Sequence, residues 1–103
     1  MAARDLVVNL IGRAITTGAP HRDGSVSRDH RFYAGRSTAF VQAAAMAAES
    51  AYGCDILAAQ HWLNRRVRDV RKTWNPALLR DGELVGKEAT TILDDMLATV
   101  QLT

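Results

Sequence analysis

The chain has 103 residues, 48% of them hydrophobic, and a formal net charge of +2. That suits one domain with a modest core, and no apolar run approaches the roughly 18 residues that a membrane span needs. A single cysteine, Cys54, excludes an internal disulfide and fits a reducing compartment.

The opening segment MAARDLVVNLIGRAITT does not read as a secretory leader. Asn9, Gly12 and Arg13 interrupt its apolar positions, so a cytoplasmic location is expected. The same segment predicts a first helix over 4–17. Val7, Leu10, Ile11, Ala14 and Ile15 recur at helical spacing, Leu6 lies on the flank, and Gly18 is placed to end it. A pair of strands is the alternative there, because Val7, Val8, Ile11 and Ile15 are β-branched.

Residues 18–36, GAPHRDGSVSRDHRFYAGR, predict a long polar loop with Phe32-Tyr33 as its first anchor. Structureless loops of that length are uncommon in compact domains and are often functional or disordered. A second helix is expected over 38–52, with Ser37 or Thr38 as its cap. Its expected core stripe is Phe40, Ala44, Ala47 and Ala51, with Val41, Ala48 and Tyr52 alongside. Gly53 closes it and Asp55 caps a third helix over 55–74, so helices two and three form an αα-hairpin. Ile56, Ala59, Leu63, Val67, Val70 and Trp74 make a clean amphipathic stripe on the third helix.

Asn75-Pro76 stops that helix and can start a short one, with proline at its first position. Asp81-Gly82 reads as a turn, followed by a loop; a minor hairpin near 77–86 is the alternative. The last helix is expected over about 87–100, with Ala89, Ile92, Leu93, Met96, Leu97 and Val100 on one side. The expected fold is therefore a single all-α domain over 1–103, with four main helices around the central hairpin.

Charge is polarised along this order. Residues 61–74 carry Arg65, Arg66, Arg68, Arg71 and Lys72 against Asp69 alone. Residues 75–103 carry Arg80 and Lys87 against Asp81, Glu83, Glu88, Asp94 and Asp95. Eleven of the 13 basic residues are arginine, whose planar fork suits phosphate and carboxylate. A GC-rich genome gives the same bias, and the 17 alanines agree with that explanation.

At 100° per residue, Arg65 and Lys72 fall about 160–180° from the third helix's core stripe, and His61 and Arg68 about 120–140°. These four form a ridge facing solvent. Arg71 lies nearer the core edge, where its stem can cover apolar side chains. Trp62 shares a flank with Arg66 and Asp69 and needs a cover, from the 18–36 loop, a second subunit or a ligand.

Two functional expectations follow. In the first, His61, Arg65, Arg66, Arg68 and Lys72 contact nucleic-acid backbone. Trp62 stacks on an unpaired base, and Arg22, Arg28, Arg31 and Arg36 form a second contact. Sequence-specific duplex reading fits less well, because the third helix begins with Asp55, Ile56, Leu57 and Ala58 where recognition helices place base-reading groups. In the second, the same surface docks a protein partner or another copy of the chain, with the acidic C-terminal third as one candidate for the basic ridge.

No metal, cofactor or catalytic set is expected. His21, His30, Cys54 and His61 lack the close paired spacing of a zinc site. Cys54 at a helix start suits a lowered thiol pKa, but His61 lies two turns on, and a small buried residue is the plainer reading. Gly82–Glu88 is one residue short of a phosphate loop and lacks the Ser or Thr after Lys87. In size and composition the chain resembles the broad class of small bacterial or phage accessory proteins.

Overall fold

The computed structural model describes residues 2–19 and 30–100, with side chains from 34 onward in the second stretch. Among these residues it is all-α: α1 Ala3–Thr16, α2 His30–Tyr52, α3 Ile56–Thr73, the single-turn α4 Pro76–Leu79, and α5 Gly82–Thr99. No helix among them is long and apolar enough to cross a membrane.

The apolar spacing of α1 buries Val7, Ile11, Ala14 and Ile15. The helix ends at Gly18, whose φ of 63° is the left-handed conformation that glycine adopts without strain. Gly53, at φ 72°, ends α2 in the same way. Asp55 then accepts a hydrogen bond from the Ala58 amide at 3.0 Å and starts α3. The result is the expected αα-hairpin of α2 and α3. Helix α1 packs on both hairpin helices and on α5, so it touches every other long helix.

Helix α3 buries Ala59, Leu63, Val67 and Val70, with Ile56 and Trp74 partly covered at its ends. Asn75 caps α4 by accepting from the Ala77 amide, with Pro76 at the first helical position. Helix α5 brings Val85, Ala89, Ile92, Leu93 and Met96 to the same core.

Two helix starts and one helix face differ from the sequence expectation. Helix α2 begins at His30, so the expected 18–36 loop is in part the first two turns of a helix. Ser37 is no cap: it lies inside α2, 8% exposed, and its hydroxyl donates to the Ala14 carbonyl of α1 at 2.7 Å. The buried face of α2 is Ser37, Val41, Ala44, Ala45 and Ala48, rotated from the expected stripe. Phe40 and Ala47 sit at its edge and Ala51 is exposed.

Helix α5 starts at Gly82, so the expected turn and loop before residue 87, and the alternative hairpin near 77–86, are both replaced by helix. Asp81 caps it, accepting from the Leu84 amide at 3.0 Å, and Glu83 sits favourably in the first turn. Val85 is buried against α1, within reach of Gly12.

Gly35 lies in the first turns of α2. A Cβ built there meets nothing within 4 Å. Gly35→Ala is therefore expected to stabilise the protein by about 0.5–1 kcal/mol, through the helix preference of alanine. A denaturant titration checks this.

Candidate functional site

Helix α3 presents two sets of basic side chains with different surroundings. His61, Arg65, Arg68 and Lys72 are all exposed, at steps of four, three and four residues. That spacing puts them in one row along the helix, each about one turn from the next. Arg65, Arg68 and Lys72 have no hydrogen-bond or ion-pair partner among the described residues. Asp69, also exposed, lies beside Arg65 and Lys72 and is the one acid on this side of the helix.

Arg66 and Arg71 point elsewhere. The Arg66 guanidinium reaches α5, donating to Asp95 at 3.0 Å and to Glu88 at 3.4 Å. Its Cζ lies 5.8 Å from the centre of the Trp62 ring, which is a cation–π contact. Trp62 is partly buried and packs against the core. Its cover therefore includes Arg66 and the core itself.

Arg71 holds the end of α1. Its Nη1 donates to the carbonyls of Ala14, Ile15 and Thr17 at 3.2, 2.7 and 2.7 Å. The last carbonyls of a helix have no partner inside it, and a cation there also opposes the helix dipole. Arg80 adds a bond to the Ala19 carbonyl at 3.3 Å. Burial lowers the Arg71 pKa from its ordinary value, but a guanidinium stays charged at any ordinary pH.

The acidic C-terminal third docks on cations within the chain, but on other ones than the exposed row. Asp95 and Glu88 take Arg66, Asp94 takes Arg4 at 2.8 Å, and Glu83 takes Lys87 at 3.6 Å. None of these carboxylates bridges to Arg65, Arg68 or Lys72. The Arg4–Asp94 and Lys87–Glu83 pairs are exposed and contribute little stability, while the Arg66 pairs are part-buried; together the pairs decide where positive charge remains at the surface.

The other expected contacts divide as follows. Arg31 and Arg36 lie on α2 rather than in a loop. Arg36 sits 5.9 Å from the Phe40 ring centre. Arg22, Arg28 and His21 lie outside the described residues, as do the side chains of His30 and Arg31.

Cys54 is 1% exposed, and burial pushes its thiol up, the reverse of what its place before α3 suggests. Desolvation outweighs the helix end here. Native protein at neutral pH is expected to react with a thiol reagent only slowly, with full reaction on unfolding; rapid native labelling would contradict this.

The angular reading of α3 separated Arg71 from the row, but it gave no sign of the α1 carbonyls as its partners. Arg66 falls on the flank with Trp62 in that reading, yet is expected to contact nucleic acid together with the ridge; its acid partners lie 22 and 29 residues further along the chain, out of reach of a helical-angle argument. No protein-family model, no curated protein and no solved structure matches this chain.

Proposed function

We propose that this is a small non-catalytic accessory protein of the cytoplasm, working within a larger complex, whose α3 row contacts the phosphate backbone of a nucleic acid. One observation carries the reading. Of the five basic residues between Arg65 and Lys72, two are committed to contacts within the fold. The other three, Arg65, Arg68 and Lys72, stand exposed without partners among the described residues. Unpaired cations in a row about one turn apart can displace counterions from a phosphate backbone without reading bases. His61 extends the row by one turn.

Trp62 takes a smaller part than an exposed stacking platform would. Only part of its ring remains open, in a shallow hollow with Arg65, Arg66 and Asp69. Strand preference is therefore expected to be weak. The test is fluorescence anisotropy of labelled single-stranded DNA, duplex DNA and RNA, titrated with the protein at low and moderate salt. Salt-sensitive binding with similar affinities for the three is the expected result. Absence of binding at low salt overturns the reading.

A second reading, a protein-docking or self-associating module, is favoured by Met46 and Leu57, which are 60% and 67% exposed. Large apolar side chains left in water are common at association surfaces, although single ones also occur on monomers. Light scattering during size exclusion tests it. A mass above the monomer that falls with Met46→Gln or Leu57→Gln supports it, and a monomer at all concentrations removes the homo-oligomer.

A further inference from the structure

Beside the exposed row, α2 and α3 enclose a cleft of about 200 Å³. Its apolar wall is Ala34, Val41 and Val67, and its polar wall is Ser37, Thr38, Asn64, Arg68 and Arg71. The lining contains no carboxylate. Ser37 and Thr38 spend their hydroxyl protons on the carbonyls of Ala14 and Ala34. The donors left for a ligand are those of α3.

Asn64, Arg68 and Arg71 follow one another at steps of four and three, so they share a face of α3. Asn64 and Arg68 have no partner among the described residues, and Arg71 uses only Nη1 in its bonds to α1. Its Nε and Nη2 are left over. Because α1 holds Arg71 in place, the side chain loses little freedom when a ligand arrives.

Arg68 and Arg71 bring two positive charges to the lining, and no acid in it offsets them. A bound anion supplies the missing negative charge. Guanidinium forks match both carboxylate and phosphate. Asn64, Arg68 and Arg71 all line the cleft; a phosphate monoester carries close to two negative charges at neutral pH and offsets both guanidinium groups, whereas a carboxylate carries one. The volume is below the ~300–1,000 Å³ of sites that enclose whole small molecules. It fits one group of a ligand rather than all of it.

We infer that the α2–α3 cleft, lined by Asn64, Arg68 and Arg71, is a binding pocket for a single phosphate group. Its source is free phosphate or the terminal phosphate of a nucleotide or oligonucleotide. The pocket shares Arg68 with the exposed row but does not rest on the nucleic-acid reading.

The test is a titration of ¹⁵N-labelled protein with inorganic phosphate, at ionic strength held constant with chloride. Saturable shifts confined to Asn64, Arg68, Arg71 and the facing turn of α2 are expected. Arg68→Gln, an exposed position that leaves the fold intact, should weaken binding about tenfold, the loss of one charge-assisted contact. Lys72→Gln, outside the cleft, should leave phosphate affinity within about twofold while weakening nucleic-acid binding, so the two readings fail separately.

A second arm compares a 5′-phosphorylated dinucleotide with its unphosphorylated twin. A stronger effect of the phosphorylated form, at the same residues, assigns the pocket to terminal phosphates. Equal effects beside saturable inorganic phosphate assign it to the free anion. Shifts that do not saturate, that spread over all basic residues, or that survive Arg68→Gln overturn the proposal.

Discussion

Leu63→Asp is expected to unfold the protein at neutral pH. Leu63 is fully buried at the centre of the α3 stripe, in one core with Ile11, Ile15, Ile92 and Met96. Burying a leucine side chain contributes about 1.5–3 kcal/mol, all of which the substitution gives up. The new carboxylate must also ionise out of water without a partner, or stay protonated against its ordinary pKa, at a further cost of several kcal/mol. Against a total stability of about 5–15 kcal/mol for a small domain, little remains. Far-UV circular dichroism should show loss of helix and of the cooperative melt. A folded variant with a native-like melt would mean that the α3 stripe is not the core. Val67 is a less sharp probe, because it borders the cleft beside Arg68 and Arg71, where a guanidinium can pair with an introduced carboxylate.

Arg71→Met is expected to lose about 1.5–3 kcal/mol, the range for hydrogen bonds made by a charged group, here a half-buried one. Methionine keeps most of the apolar stem and removes the guanidinium, so the loss reports the bonds to Ala14, Ile15 and Thr17 rather than packing. One nitrogen serves all three carbonyls, so their contributions do not add. Urea unfolding should show a lower midpoint with an unchanged slope, and hydrogen exchange should quicken first at the C-terminal turn of α1. A change below about 0.5 kcal/mol, the usual effect of a surface substitution, would mean that water caps α1 equally well.

These two residues also show where the sequence was informative. Leu63 belongs to a stripe with regular 3- and 4-residue steps between two strong signals, Asp55 and Asn75-Pro76. Period and caps agreed, and α3 was legible almost to the residue. Helix α2 was legible as a helix but not in its phase or start. In QAAAMAA several rotations bury an alanine face equally well, and the choice falls to the partner: Val41, Ala44, Ala45 and Ala48 face inward. Ser37 and Thr38 looked like caps because hydroxyls make good ones. What overrode that was a tertiary bond from Ser37 to α1.

The start of α5 was hidden for a similar reason. Asp81-Gly82 is as good a cap-and-first-residue as it is a turn, and only the burial of Val85 decides between them. At the candidate site, helical angle alone separated the outward row from Arg71. The row was therefore legible, as was the place of Arg66 on the flank with Trp62; the pairing of Arg66 with Asp95 and Glu88 was not, because that depends on where α5 lies.

The most direct measurement is the salt dependence of binding, native protein against an Arg65→Gln/Arg68→Gln/Lys72→Gln variant, on the same labelled strand. The three substituted residues are exposed, so the variant should fold with a melting curve close to native. Three phosphates neutralised by the row give a slope of log affinity against log salt steeper by about 2 for a single strand, or nearly 3 for duplex DNA. The expected result is that the variant loses that part of the slope along with most of its affinity at low salt. A folded variant with an unchanged slope and affinity would contradict the central claim, that the unpaired cations of α3 are a phosphate-binding surface.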